Sequence, residues 1–186
     1  MKSFSNQLKE YLAALPQKQP CCREAYERGL RGEVFAERCA RDPGCFLRGA
    51  FVGHGTISDP DAAYRLSFQA RPEFLEIVAA ALADSGIRAR RTVRRGKDVL
   101  YFKDSGAIED FLALVGASKY SLQLMEKKVM KELRENANRL RNAETANIDR
   151  TVRAAAEQCE AIRLLRETGK FALLPPSRLD FQSRMK

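Results

Sequence analysis

Apolar residues near the start of the chain recur every three or four positions, the pattern of an amphipathic helix. We predict this helix over residues 3–15, ahead of Pro16, from the stripe Phe4, Leu8, Tyr11, Leu12 and Leu15. Residues 21–41 are rich in charge and are also predicted to be helical, up to a breaker at Asp42-Pro43-Gly44. Residues 1–44 are therefore predicted to form an N-terminal helical segment.

Helical and strand periodicities alternate between residues 45 and 117. In one predicted strand Tyr64, Leu66 and Phe68 alternate with polar residues, which is typical of a half-buried strand. The predicted elements are a short helix over 45–53, strands near 55–58 and 64–69, a helix from Pro72 to Gly86, strands over 87–95 and 98–103 around a turn at 95–98, and a helix capped by Ser105 and ended by Gly116. Such an α+β unit packs its helices on one face of an antiparallel sheet and leaves the other face open.

Residues 118–168 are predicted to be a long helical linker. One apolar face runs from Leu122 to Leu140, and the pattern pauses over residues 142–147, where Thr145 or Asn147 is a candidate cap for a second helix. Packing of the second helix against the first is favoured, with packing against another chain as the alternative. Residues 169–186, which contain two adjacent prolines, are predicted to be an irregular tail.

The net charge of +9 indicates attraction to a polyanion, either a nucleic acid or an anionic membrane surface. No run of 18 apolar residues occurs, and the N-terminus has no apolar segment typical of a signal peptide. We therefore expect a cytoplasmic protein without a membrane partner.

The positive charge is concentrated between residues 88 and 97, where six cations occur and no acid. They are Arg88, Arg90, Arg91, Arg94, Arg95 and Lys97. Strand alternation puts Arg88, Arg90 and Arg94 on one face, and Arg91 and Arg95 on the other. Because the arginine fork binds phosphate and guanine edges, a hairpin of this kind is a candidate double-stranded DNA contact. Secondary candidates are Lys103, Lys127, Lys128 and Arg139. The alternatives are a solvated edge hairpin protected from aggregation by its charges, and a membrane-surface role.

The five cysteines are expected to be reduced thiols, because disulfides are rare in the cytoplasm. Their spacing matches no standard zinc pattern, so we expect neither a metal nor a cofactor. A metal site formed by Cys21, Cys22, Cys39 and Cys45 is the less favoured alternative.

Residues 46–58, Phe-Leu-Arg-Gly-Ala-Phe-Val-Gly-His-Gly-Thr-Ile-Ser, resemble the LAGLIDADG motif of homing endonucleases, and more closely its version in the WhiA family. Three further stretches are similar to that family of bacterial sporulation and cell-division transcription regulators: residues 3–10 with the cysteine pair at 21–22, residues 99–105 and residues 131–147. The resemblance implies a LAGLIDADG-like αββαββα domain over residues 45–117, whose sheet covers DNA. It also implies a location at the bacterial nucleoid.

Two family features are expected to be missing. Most of the first LAGLIDADG repeat has no counterpart in the short segment before Cys45, so residues 1–44 are interpreted as its degenerate remnant. The chain stops about where the family's C-terminal helix-turn-helix domain begins, so we expect that domain to be absent. With one repeat left, Gly49 and Gly53 are predicted to let the motif helix Phe46–Gly53 contact a second chain in a homodimer, with close packing within one chain as the alternative.

Nuclease activity is not expected. The motif positions that carry metal-binding acids in the endonucleases hold Val52 and His54 here, and neutral imidazole is a poor ligand for Mg²⁺. The favoured interpretation is a non-catalytic DNA-binding transcription regulator linked to sporulation, cell division and chromosome segregation. The alternative is a dimerisation or interaction module that has lost its DNA-reading domain.

Overall fold

The computed structural model describes residues 3–170 and confirms the predicted α+β order. Its elements are α1 (Phe4–Ala14), α2 (Pro20–Arg31), α3 (Asp42–His54), β1 (Gly55–Ile57), β2 (Leu66–Gln69), α4 (Pro72–Asp84), β3 (Arg90–Arg94), β4 (Lys97–Phe102), α5 (Ser105–Leu114) and α6 (Ser118–Glu167). From α3 to α5 the order is αββαββα. Of the irregular tail predicted for 169–186, residues 171–186 lie outside the described residues.

The four strands form one antiparallel sheet in the order β1-β2-β4-β3. Leu66 of β2 pairs with Phe102 of β4, and Phe68 pairs with Leu100, so these four side chains share one face. All four are buried in the core beneath the helices. Strand alternation thus determines which face the helices cover, as the sequence pattern predicts.

Aromatic side chains join the core face of the sheet to the helices. Phe111 of α5 lies 5.7 Å from the ring of Phe51 of α3, 5.9 Å from Phe68 and 6.0 Å from Phe102. These are tilted or edge-to-face arrangements, which aromatic rings prefer over direct stacking. The contacts fix α3 and α5 against β2 and β4.

One sheet edge is protected by α1. Ser3 caps this helix by accepting a hydrogen bond from the Asn6 backbone N–H at 3.3 Å, and the helix ends at Ala14, close to the predicted boundary. The buried Ser5 hydroxyl accepts a hydrogen bond from the Ile57 N–H of edge strand β1 at 3.3 Å. The opposite edge strand, β3, carries the arginine-rich segment.

The prediction of a single helix over residues 21–41 is wrong in its second half. Helix α2 ends at Arg31 because Gly32 adopts a left-handed conformation, with φ of 73°. The predicted breaker at Asp42-Pro43-Gly44 instead begins α3, since proline is well tolerated in a first helical turn. Residues 3–41 therefore hold two helices and no strand.

Helices α2 and α3 pack through glycines at backbone contact. A Cβ atom added to Gly29 would lie 2.2 Å from the Phe46 carbonyl oxygen, and one added to Gly49 would lie 2.0 Å from the Tyr26 carbonyl oxygen. A Cβ on Gly53 would lie 2.6 Å from the carbonyl oxygen of Leu30. The prediction that Gly49 and Gly53 contact a second chain is therefore wrong, because α2 of the same chain occupies this surface.

Two helix boundaries also differ from prediction. Asp104, and not Ser105, caps α5 by accepting a hydrogen bond from the Ala107 N–H at 2.9 Å. Helix α6 continues through residues 142–147, where a break and a second cap were predicted. The apolar pattern pauses there, but residues 118–167 contain no glycine or proline to end the helix.

The chain divides into two compact units, up to Lys131 and from Glu132 onward. In the second unit, apolar side chains spaced along α6 are exposed: Leu133, Leu140, Ile148, Val152 and Ile162. The predicted packing of a helix after residue 147 against a helix before it does not occur, because these residues belong to one helix. Between Ser3 and Lys170 no helix is both long enough and apolar enough to cross a membrane.

Candidate nucleic-acid interface

The face of the sheet away from the helices is here called the open face. Alternation and register place on it Thr56 of β1, Ser67 and Gln69 of β2, Val99 and Tyr101 of β4, and Arg90, Thr92 and Arg94 of β3. Apart from Val99 and Tyr101, these side chains are polar. The open face thus presents hydrogen-bonding groups and positive charge outside the core.

A hollow of about 450 Å³ lies on the open face beside the β3–β4 turn. It is lined by Thr56, Arg65, Ser67, Gln69, Arg94, Arg95, Lys97 and Val99. Four of these residues are cationic and none is acidic, so the hollow suits an anionic ligand. It gathers residues from all four strands or their immediate flanks.

A second hollow, of about 540 Å³, lies towards the other end of the hairpin. Its lining includes Arg88, Arg90, Tyr101 and Lys103. The acid beside them is Asp104, whose carboxylate already caps α5. The two hollows together place most of the predicted arginine cluster along the open face.

Tyr101 connects the hollows through cation–π contacts. The guanidinium carbon of Arg65 lies 4.8 Å from the Tyr101 ring centroid, and the Lys103 ammonium nitrogen lies 5.8 Å from it. Both distances fall within the range of an attractive cation–π contact. The aromatic ring therefore holds two cations near the middle of the sheet.

Arg91 does not belong to the open face. It pairs across the ladder with the core-facing Leu100, and its guanidinium lies 3.2 Å from Glu76 of α4 and 3.2 Å from Asp98 of β4. The hydrogen bond with Glu76 is the main cause that raises the pKa of Arg91. The segment that lacks acids in the sequence thus acquires two acidic neighbours in the fold.

The turn changes the predicted position of Arg95. Strand alternation assigns Arg95 to the face of Arg91, but β3 ends at Arg94, and Arg95 and Gly96 form the turn with φ of 51° and 71°. Two positive φ values match the tight hairpin turns that suit twisted strands. This backbone brings Arg95 beside Arg94 and Lys97 in the first hollow.

Within residues 3–170, no carboxylate lies within 4.0 Å of the cationic groups of Arg90, Arg94, Arg95 or Lys97. The secondary candidates differ. Lys127 forms ion pairs with Asp59 and Asp61, and Lys128 lies 4.0 Å from Glu109. Arg139 lies in the second unit, where its Nε donates to the carbonyl of Glu135.

His54 ends α3, at the motif position where the endonucleases carry an acid. Its ring lies 5.1 Å from that of Phe74, and its Nε2 atom is buried without a partner among the described residues. Burial lowers the pKa of His54 most, a backbone hydrogen bond with Leu30 raises it in part, and the charges of Lys9 and Arg71 lower it further. This electropositive, partly apolar environment disfavours a divalent cation.

Arg65 and Tyr101 are the central residues that the DNA-contact prediction omits. The signal for Arg65 was present, because it alternates with Leu66 and Phe68 and so faces away from the core. Tyr101 alternates in the same way with the core-facing Leu100 and Phe102 of β4, so it also faces away from the core. The charge cluster lies on β3 and its flanks, whereas β2 and β4 also contribute residues to the hollows.

Two family models match the chain. The WhiA LAGLIDADG-like domain matches residues 44–134, and the WhiA C-terminal HTH domain matches residues 137–185. The expectation that the helix-turn-helix domain is absent is therefore wrong. Within that second match, residues 137–167 form part of α6, and residues 171–185 lie outside the described residues.

Curated relatives share the name "Probable cell division protein WhiA". The protein from Clostridium perfringens (strain SM101 / Type A) is 38% identical over 131 residues, covering 70% of this chain and 42% of the relative. The protein from Halothermothrix orenii is 40% identical over 136 residues, covering 73% of this chain and 42% of the relative. The chain thus spans less than half the length of these relatives.

Solved structures show the same fold. Full-length DUF199/WhiA from Thermatoga maritima aligns with a TM-score of 0.70 at 20% identity, over 95% of this chain and 84% of that one. The N-terminal LAGLIDADG domain of DUF199/WhiA aligns with a TM-score of 0.55 at 18% identity, over 62% of this chain and 94% of that domain.

Proposed function

This chain belongs to the WhiA family, and from that membership and its open cationic face we propose that it is a non-catalytic DNA-binding transcription regulator linked to cell division. Double-stranded DNA would lie along the open face. The sporulation and chromosome-segregation roles implied by the family resemblance belong to the same proposal, as does a location at the bacterial nucleoid.

The observation that carries the proposal is the first hollow, where Arg65, Arg94, Arg95 and Lys97 converge without an acidic neighbour in its lining. Unpaired cations on a sheet surface repel one another, so a polyanionic partner would relieve an electrostatic cost. Phosphate contacts of this kind give affinity and orientation without reading sequence. The match to the HTH domain supports a second DNA contact. In this proposal that second contact recognises the DNA sequence.

The lack of catalysis in this proposal is supported by the surroundings of His54. A magnesium-dependent nuclease needs free carboxylates at the ends of its motif helices. Here His54 ends α3, and the nearest acids beyond the motif, Asp59 and Asp61, are ion-paired with Lys127. Incubation with supercoiled plasmid and Mg²⁺ should leave the plasmid intact, and nicking that His54→Gln abolishes would contradict the proposal.

Fluorescence anisotropy with a labelled duplex tests DNA binding directly. At low salt we expect a Kd below about 10 µM, and neutralisation of about five phosphates predicts a slope near −4.5 for log affinity against log salt. The triple variant Arg90→Gln, Arg94→Gln, Arg95→Gln should lose most of this slope. No binding by the unmodified chain at low salt would refute the proposal.

A second candidate function is an interaction or dimerisation module. The exposed apolar residues of α6, including Leu140, Ile148 and Val152, favour it. The triple arginine variant separates the two functions. If it still self-associates or retains a protein partner but loses DNA, the DNA-binding proposal is supported. If DNA retention is unchanged as well, the open face is only a solvated surface.

A further inference from the structure

Four potential metal ligands converge where α2 and α3 begin. The sulfur atoms of Cys21, Cys22 and Cys39 and a carboxylate oxygen of Asp42 all lie within 4.8 Å of one another. Cys21 and Cys22 occupy the first turn of α2, Cys39 lies in the loop that follows this helix, and Asp42 is the first residue of α3. All three thiols are free. This group is here called the cysteine cluster.

We propose that the cysteine cluster binds one zinc ion through three thiolates and the Asp42 carboxylate. The sequence favoured ordinary thiols and offered Cys45 as the fourth ligand of a less favoured site. The fold replaces Cys45 with Asp42 in the set of converging ligands. The cysteine spacing matches no standard zinc pattern because the fourth ligand is an aspartate, whereas those patterns consist of cysteine and histidine.

The three ligand separations that involve the Cys39 sulfur are close to those of tetrahedral coordination. Zn–S bonds of about 2.3 Å place two sulfurs of a tetrahedron about 3.8 Å apart. The Cys21–Cys39 and Cys22–Cys39 sulfur distances are 3.6 Å and 3.8 Å. The Cys39 sulfur lies 3.2 Å from Asp42 Oδ1, compared with about 3.5 Å for a tetrahedral pair of sulfur and oxygen ligands.

Asp42 is already oriented as a ligand. It is fully buried, and its Oδ2 atom accepts backbone hydrogen bonds from Arg38 at 2.8 Å and Cys39 at 2.9 Å. These bonds fix the carboxylate and leave Oδ1 directed at the Cys39 sulfur. Such outer contacts orient the ligands of metal sites in proteins.

Burial and hydrogen bonding with Cys39 raise the pKa of Cys21 and of Cys22, so both are protonated thiols without a metal. The three thiols would release their protons to water as the Zn–S bonds form. Soft sulfur ligands in tetrahedral geometry favour zinc over magnesium or calcium.

A bound zinc ion would join the start of α2, the loop and the start of α3. The loop is also held by the stacking of Phe35 on Phe46, at 4.1 Å between ring centroids, and by the ion pair of Arg38 with Glu24 of α2 at 3.0 Å. The proposed role is therefore structural. It is independent of the DNA-binding proposal, because the cluster lies on α2, α3 and the loop between them and not on the sheet.

Metal analysis of the full chain, purified under reducing conditions and then incubated with ZnSO₄, tests the proposal. We expect about one zinc per chain after removal of excess metal. Cys39→Ser and Asp42→Asn should each reduce the zinc content at least several-fold, whereas Cys159→Ser, which changes an exposed cysteine of α6, should retain it. Cys45→Ala should also retain it. Loss of zinc in Cys45→Ala with retention in Asp42→Asn would overturn the assignment.

Cobalt substitution keeps the test independent of variants that fail to fold. Titration of the unmodified, reduced chain with CoCl₂ should give thiolate charge-transfer absorption and the intense visible bands of tetrahedral Co²⁺, both saturating at one equivalent. Added zinc should remove these bands. Absence of the bands together with absence of bound zinc would overturn the proposal. The proposal would also be overturned if Cys39 forms a disulfide with Cys21 or Cys22 and the chain still takes up no metal once that disulfide has been reduced.

Discussion

Arg90 and Arg91 are adjacent in the sequence and face opposite sides of β3. Arg90 lines a hollow on the open face, whereas Arg91 is ion-paired with Glu76 and Asp98. Exposed ion pairs contribute little to stability, so removal of either arginine should leave the fold intact. The two residues form a matched pair for testing which face of the sheet binds DNA.

We expect Arg90→Gln to weaken DNA binding and to reduce the magnitude of the salt slope by about 0.9, the loss of one phosphate contact. Arg91→Gln should leave the slope unchanged, because its charge is engaged by two carboxylates. Anisotropy titrations at several salt concentrations measure both slopes. Equal losses in the two variants would argue against binding on the open face.

His54 provides a pH-dependent test at the same scale. Burial holds its pKa below the ordinary value of about 6.5, so the unfolded chain takes up a proton before the folded chain does as the pH falls. The stability associated with neutral His54 is therefore present above pH of about 6.5 and is lost as the pH falls through the folded-state pKa.

Thermal unfolding followed by circular dichroism between pH 7.5 and 5 should show this loss. His54→Gln removes the titrating group, so the variant should lose less of its Tm than the unmodified chain over the same range. Parallel curves for the two proteins would show that His54 does not contribute to the acid sensitivity.

At the scale of elements, the pairing of α2 with α3 depends on glycine. A Cβ at Gly49 would lie 2.0 Å from a backbone oxygen of α2, and backbone atoms yield less readily than the end of a side chain. We expect Gly49→Ala to lower the free energy of unfolding by about 3 kcal/mol, the upper part of the range for overpacking. Chemical denaturation measures the change.

Gly106→Ala is the matched control. Gly106 also lies in a helix, but a Cβ there would meet only the Asp104 side chain, at 3.3 Å. This variant should change stability little, since alanine favours the helix by about 1 kcal/mol and so offsets a small adjustment of Asp104. If the Gly49→Ala and Gly106→Ala variants have the same free energy of unfolding, α2 and α3 do not pack at backbone contact.

At the scale of the molecule, the first unit has one four-stranded sheet and two paired helices, α2 and α3. The motif helix was predicted to pack against a second copy of the chain. Helix α2 of the same chain packs against it instead. The sheet has no counterpart in residues 3–41, so the proposed DNA surface is one sheet wide. The second unit carries the match to the HTH domain, which adds a separate region for the proposed DNA contact.

The strand pattern made the fold predictable and made only part of the site predictable. Alternation of Arg65 with Leu66 and of Tyr101 with Leu100 follows from local sequence, because a strand changes face at every residue. The hollows could not be predicted, since they depend on which strands are neighbours. The order β1-β2-β4-β3 places Arg65 and Ser67 beside Tyr101, which lies more than thirty positions later in the sequence.

The sequence by itself determined the αββαββα order, the core face of the sheet and the cationic character of the β3–β4 hairpin, because these follow from local periodicity and composition. Only the tertiary structure decided that Arg91 is paired with Glu76, that Gly49 faces Tyr26, and that Asp42 joins three cysteines. Each of these contacts joins residues from different elements. Their formation depends on packing across the whole unit, which periodicity along the chain does not specify.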